Sequence, residues 1–488
     1  MVKVPQFQPH GAVTAPDIPA PRDVAMTALS AGTRAAQFGR QWQGLSLFRL
    51  LFSLWLGVLS ACGGTTDLGP AGTFSVVLDA QTHAILEQLQ TEGLVSPTVG
   101  FSRNFIGIYV PENFLPYEPF VLGFATESAI PTVLLLDAAT VRRYAASNWL
   151  TPLDSTGIYP AEGLVPGVAR AFSLPKTSPT GERVNELVGV PNSIRGNILF
   201  YRQDLLQAYQ KTPPRTWEEL KAICRDILPR EQSLNYGLIF ALTDFIDAFY
   251  PIFWGFGGKT HDAQGRLIFL QPEMLGRAEA ALAEIVGMLG TLAPAPGALK
   301  RFAAPSSLSQ AFFQGEALFM IDWNTRLHDL RLRLDSSQAA GQAAIKSLEQ
   351  VGVGPIPCQS GGTGRYSNLG SSGWAVNRFA VTLPGVKEVA SQFLHLVNSE
   401  RVQLLRAENA GEVPTLANAL SQVKNPGVLR IYENVFGSLE VILQSRPQNR
   451  KFNDILAKHL QEALLGRQTP AQAIQAAAAE LKNHGPLD

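Results

Sequence analysis

FWGFGGKTH, residues 253–261, holds three glycines followed by Lys259 and Thr260, as a nucleotide-binding loop would. A phosphate loop needs a glycine five positions before the one preceding its lysine, and position 253 is Phe. Such a loop also follows a buried strand and opens a helix, so that backbone N–H groups converge on the phosphate. Here Pro251 breaks the preceding DAFYPIF, and HDAQGRLIF after Thr260 reads as a turn into a strand. The phosphate reading fails. A second stretch, GGTGRYSNLG (361–370), fails as a dinucleotide fingerprint, because Ser367 stands where the third glycine belongs. What remains for 253–261 is a loop that only shares its glycines with such motifs.

Composition narrows the choice further. Lys plus Arg and Asp plus Glu each number 40, so the formal net charge is zero. A nucleic-acid binder shows a basic excess or stripe, and no nucleic-acid partner is expected. Only 16% of residues are charged, below the roughly 25% of an average soluble protein. With 43 glycines and 33 prolines in 488 residues, the chain fits a loop-rich α/β protein of two or three domains.

Motifs of enzymatic chemistry are absent. GSSG (370–373) is not a GxSxG elbow, and the seven histidines are scattered without an HExxH. The paired carboxylates of a glycosidase need not be adjacent in sequence, and among 40 acids no pair stands out. Cys224 and Cys358 lie in no CxxC or Cys/His cluster, so no metal site is indicated. Two free thiols and no cofactor are expected.

The N-terminus has the pattern of an export signal. Residues 1–44 are poor in acids and carry Arg22, Arg34 and Arg40, with Arg49 close behind. LLFSLWLGVLSACGG (50–64) follows. Its uninterrupted apolar run of about eleven residues is too short to span a bilayer but suits a signal-peptide core. Leu59-Ser60-Ala61-Cys62 resembles the lipobox of bacterial lipoproteins, which implies cleavage before Cys62 and a lipid on its thiol. Residues 1–61 then form the signal peptide, and 62–72 a lipidated flexible tether. A short buried segment with a chance cysteine is the alternative.

From Thr73 onward, short apolar runs alternate with helical patterns: FSVVL (74–78), TVLLL (132–136), ILFY (198–201), ALFMI (317–321), VGVG (351–354) and WAVN (374–377). This interleaving predicts α/β layers with largely parallel sheets. Two helix starts are explicit. Thr216 with Glu219, and Thr469 with Pro470 and Gln472, have capping-box spacing. Trp217, Leu220, Cys224 and Ile227 share one face of the first. Residues 100–130 show no clear period.

Residues 130–420 resemble the extracellular solute-binding proteins of bacterial ABC importers, in the group that binds maltose, trehalose and other sugars. The ordered matches are IPTVLLLDAATVRRYAASNWLTPLD (130–154), LVGVPNSIRGNILFYRQDLL (187–206), FWGFGGKTHDAQGRLIF, SQAFFQGEALFMIDWNTRL (309–327), GVGPIPCQSGGTG, LGSSGWAVNRFA (369–380), KEVASQFLHLVNSE (387–400) and GEVPT (411–415). The departure is at 74–129, where VVLDAQTH ends the first strand without a tryptophan.

The resemblance implies a two-lobed periplasmic-binding-protein fold (type II, maltose-binding-like) with a hinge and an interlobe cleft. Residues 73–194 and 316–381 would form lobe 1, and 195–315 and 382–488 lobe 2, with crossings near 193–197, Gly315 and 382–385. It also implies a monomeric, lipid-anchored receptor on the outer face of a membrane, carrying a sugar to permease subunits. A pyranose presents apolar C–H faces and a rim of hydroxyls, so its site needs an aromatic wall with polar groups at the edge. Trp254 is the expected wall, with Gly257 and Gly258 giving close approach; the alternative is that Trp254 is a core residue at a strand end. Trp323, next to Asp322 and Asn324, and Trp374, next to Ser371 and Ser372, either line the cleft or belong to the core. Asp137 accepts sugar hydroxyls or caps the next helix, and Asn192, Arg195 and Glu412 are further candidates. An anchored carbohydrate-active enzyme, or the same fold with a non-sugar solute, are the competing readings.

Overall fold

The computed structural model describes residues 74–78, 80–92, 106–109, 131–177, 181–262, 266–335, 344–362, 364–437, 441–444 and 450–484. The leader, the tether and Cys62 lie outside them. Short apolar runs become strands that sort into two sheets. The first has the order β2 (Ile106–Tyr109), β1 (Ser75–Leu78), β3 (Val133–Asp137), β12 (Ser372–Val376) and β6 (Val190–Pro191). The second runs β10 (Val351–Gly354), β7 (Asn197–Arg202), β9 (Ala317–Trp323) and β8 (Tyr236–Phe240). Two ribbons, β4 (Ser173–Thr177) with β5 (Arg183–Leu187) and β11 (Arg365–Asn368) with β13 (Val441–Gln444), stand beside them.

The sheets are mixed, where largely parallel ones were expected. Strand β1 pairs parallel with β2 and β3, and β8 with β9. Strand β12 runs antiparallel to β3 and β6, and β7 antiparallel to β9 and β10. A βαβ crossover imposes the parallel direction. Strands β7 and β12 enter their sheets from the other lobe, so that constraint is lifted.

The helices include α1 (Ala80–Thr91), α2 (Ala138–Ala146), α3 (Trp217–Ile227), α4 (Phe245–Gly255), α5 (Pro272–Val286), α6 (Arg326–Asp335), α7 (Val386–Val397), α8 (Glu400–Ala410), α9 (Pro426–Ile431), α10 (Arg450–Leu464) and α11 (Pro470–Asn483). Side chains of α2, α7 and α8 join the core under the first sheet, and α1 packs on α8 through Ile85, Leu89, Val402 and Leu405. The second sheet is covered by α3, α4, α5, α10 and α11. Both capping boxes form. Glu219 N donates to Thr216 Oγ1 at 3.2 Å while Thr216 N donates to Glu219 Oε2 at 3.3 Å, and Thr469 and Gln472 do the same ahead of α11. Trp217, Leu220, Cys224 and Ile227 are buried, and Cys224 and Cys358 are free thiols.

The stretch 253–261 does not begin as a loop. Helix α4 runs through Phe253, Trp254 and Gly255 with Pro251 inside it. Gly257 N donates to Trp254 O at 2.8 Å and Gly258 N to Phe253 O at 2.9 Å. That pair, with Gly257 at φ +77°, is the Schellman ending of a helix, which needs a residue without Cβ in the left-handed region. The two glycines satisfy carbonyls of α4.

The lobe boundaries also differ from those expected. Strand β9 lies between β7 and β8, so residues 317–323 sit in the second sheet rather than with residues 73–194. Gly315 only turns the chain into β9. Helix α7 packs Phe393 edge-on to Trp374, with ring centroids 5.4 Å apart, so the chain does not leave the first lobe at 382–385. Crossings between the lobes fall at 192–196, 369–371 and in the stretch from Gly411 to α9.

Candidate functional site

The three crossings lie side by side. Ile194 N donates to Val413 O at 2.7 Å, and Gly370 N donates to Arg195 O at 2.9 Å. Thr415 Oγ1 donates to Pro191 O at 3.0 Å. Side-chain amides stitch them to the second sheet: Gly196 N donates to Asn324 Oδ1, and Asn197 N to Asn368 Oδ1, each at 2.9 Å. Ser367 Oγ closes the cluster on Asn197 O at 2.8 Å. Buried backbone groups at a chain crossing have no sheet partner of their own, so short polar side chains must supply one.

Against this floor lies a cavity of about 130 Å³, lined by Asp137, Ala138, Ala139, Asp247, Trp323, Asn368, Leu369 and Gly370. Its walls come from both lobes. Asp137 and the two alanines are the end of β3 and the start of α2, while Trp323 ends β9. Asp247, in the first turn of α4, is the one residue of that helix that is not buried. The cavity therefore sits at the carboxyl ends of a strand from each sheet, where open α/β folds place ligands.

Asp137 both faces the cavity and caps. Its Oδ1 accepts from Thr140 N at 3.0 Å and its Oδ2 from Thr140 Oγ1 at 2.7 Å. Trp323 is partly exposed, with the Arg195 guanidinium carbon 5.9 Å from its ring centroid. These two are the sequence candidates that line the cavity.

The other candidates go elsewhere. Trp254 is 2% exposed in the core of the second lobe. One helical turn separates it from Tyr250, whose ring it stacks on with centroids 5.6 Å apart. Trp374 is fully buried, and its Nε1 donates to Asn192 Oδ1 at 3.2 Å. That pair is core, not cleft. Glu412, 6% exposed, accepts from Arg406 Nη1 at 3.1 Å and ties its loop to α8.

Asp322 points to the opposite face of β9 from Trp323, where Arg326 Nε donates to its Oδ2 at 3.2 Å and Trp323 N to its Oδ1 at 2.7 Å. Burial pushes its carboxyl up to about 6, against the pull of Arg326. Sequence reasoning missed Asp247, Asn368 and Gly370. Asp247 is a lone acid in an otherwise apolar helix, and that was a readable signal.

Comparison with known proteins places this geometry. The family model described as bacterial extracellular solute-binding protein matches residues 122–427, more than half the chain. A Deinococcus radiodurans "Probable ABC transporter-binding protein" is 29% identical over 263 residues, covering 52% of this chain and 56% of that protein. The chain thus spans just over half the length of that curated relative. Among solved structures, maltose-bound T. maritima MalE3 superposes with a TM-score of 0.63 at 24% identity, over 84% of this chain and 99% of the other. The sugar-binding protein MalE of the phytopathogen Xanthomonas citri gives 0.64 at 16% identity, over 84% and 96%. These two share the fold.

Proposed function

The chain belongs to the family of bacterial extracellular solute-binding proteins, and from that premise we propose that it captures a sugar between its lobes and delivers it to an ABC permease. The observation that carries this reading is the cavity whose aromatic wall, Trp323, and polar rim, Asp137, Asp247 and Asn368, come from both lobes over a floor of crossing strands. An indole takes the apolar face of a pyranose while carboxylates and an amide accept and donate at its hydroxyls. The fold neighbours support the choice of ligand, since the T. maritima protein holds maltose and the Xanthomonas protein is sugar-binding.

At about 130 Å³ the cavity is smaller than the roughly 300–1,000 Å³ of ordinary small-molecule sites. A di- or oligosaccharide therefore enters only when the lobes part, and contacts on both sides then favour closure. The site residues of this reading act by binding and orienting, not by catalysis. The protein works as an exported monomer held to the outer face of a membrane by lipid on Cys62, with the permease subunits as its protein partner. Cys62→Ser should release it from membranes on fractionation; tight retention would remove the anchor from the scheme.

Isothermal titration against a sugar panel, with chromatography of the mixture afterwards, tests the function. Binding without turnover is expected, and Trp323→Ala should weaken it by about 1.5–3 kcal/mol, roughly ten- to a hundred-fold, with melting little changed. Release of hydrolysed or eliminated product would make the protein an enzyme. Silence toward every sugar would move the reading to another solute.

A further inference from the structure

Trp323 leaves the end of β9 over the second crossing. A Cβ built on Gly370 would lie 2.2 Å from Trp323 Cζ3 and 2.3 Å from Cη2, so the indole's six-membered ring rests directly on the glycine backbone. No side chain fits between them. Arg195, in the first crossing, reaches the same ring, its Cζ 5.9 Å from the centroid. The two brackets are joined, because Gly370 N donates to Arg195 O at 2.9 Å and Arg195 N donates to Ser371 Oγ at 3.2 Å.

Arg195 has no ion pair among the described residues, and its Nε is buried without a hydrogen bond. A guanidinium left so is held by the face of the indole, an attraction that strengthens as water is excluded. Nor is Arg195 among the residues lining the cavity. Its contact with the cavity wall is the Trp323 ring.

We propose that Gly370 and Arg195 are positioning residues that set the plane of Trp323, seating the aromatic wall of the cleft on two of the segments that cross between the lobes. Rotation about those segments tilts the ring, and a ligand stacked on the ring holds them in one setting. Ligand capture and lobe movement are thus joined at one side chain. This rests on the reading of the cavity as the ligand site, but its central claim is about the ring and can be tested without ligand.

The full chain labelled with fluorotryptophan gives one fluorine NMR signal for each tryptophan, and the signal missing from Trp323→Phe identifies Trp323. Gly370→Ala should move that signal clear of its original position and leave the others in place. Arg195→Met should move it too, while Arg195→Lys, which keeps a cation over the ring, should move it less. A Trp323 signal indifferent to both positions overturns the proposal.

Titration with maltose adds a second reading. Gly370→Ala should weaken binding roughly tenfold or more. Gly370→Ala combined with Trp323→Phe should bind no worse than Trp323→Phe alone, since the phenyl ring lacks the two atoms that the new methyl would strike. Additive losses would overturn the proposal. If the wild-type chain ignores maltose while the fluorine signals respond as expected, the choice of ligand fails and the positioning role stands.

Discussion

Trp254 and Trp323 look alike in the sequence: each ends an apolar run, with a glycine or a polar residue next. One is core and the other lines the cleft. Trp254 belongs to α4, a helix buried on every face except at Asp247. Its ring stacks on Tyr250 and is covered by Tyr366 of β11, with centroids 6.0 Å apart. Trp323 is the last residue of β9, so nothing of its own element extends past it. An aromatic inside a helix that packs all round is enclosed by that packing. An aromatic at the carboxyl end of a strand faces the crevice beyond the sheet. Element position, more than residue type, decides which tryptophan can meet a ligand.

The sharpest way to break this comparison is Trp254→Ala. Truncating a fully enclosed indole removes its transfer free energy and leaves a cavity, so a loss of about 3–5 kcal/mol in unfolding free energy is expected. Urea denaturation followed by circular dichroism would measure it. A stable variant with impaired sugar binding would return Trp254 to the cleft and collapse the contrast with Trp323.

The strands that sequence reading finds, β1, β3, β7, β9, β10 and β12, are short continuous apolar runs, and such runs announce themselves. Strand β11 does not, because RYSN (365–368) is mostly polar, pairs with a segment far along the chain and lies over α4. The candidate site divides in the same way. Asp137 is legible because an acid between a strand and a helix is both a cap and a rim. Asn192 and Trp374 misled, since each is polar or aromatic near a crossing, yet they satisfy one another across 182 residues. Asn368 and Gly370 matter only through what the other lobe brings to them, and no local pattern encodes that.

A second test works on the strand side of the comparison. Asp322, one residue before Trp323, is buried with its carboxyl pushed up to about 6, above the roughly 3.9 of an unfolded Asp. Between those values the folded chain binds more protons than the unfolded one, so stability falls as pH rises through the window. The raised value corresponds to about 2–3 kcal/mol, absent below pH 4 and fully in force above pH 6. Asp322→Asn should remove that slope. Unfolding free energies of both chains between pH 4 and 7 should converge or cross, and parallel curves would show that Arg326 and the Trp323 N–H keep the carboxylate ionised at little cost. The variant leaves Trp323 in its strand position, so binding should change less than with Trp323→Ala.

The smallest effect distinguishes the two glycines that stand by these tryptophans. Gly257 is required for its backbone: φ is +77°, a region where a Cβ costs roughly 1–2 kcal/mol. A Cβ there would also lie 2.1 Å from Arg277 Nη1, but that side chain is partly exposed and can swing away, giving up its 3.0 Å bond to Phe256 O. Gly257→Ala should therefore lower unfolding free energy by about 1–2 kcal/mol through the Schellman ending of α4, and leave sugar affinity untouched. Gly370 has no such backbone demand; it is required for the space its missing side chain leaves to Trp323. Gly370→Ala should thus act mainly on affinity, and Gly257→Ala on melting alone. If Gly257→Ala weakened binding at unchanged stability, the turn at 257–258 would be a ligand loop after all.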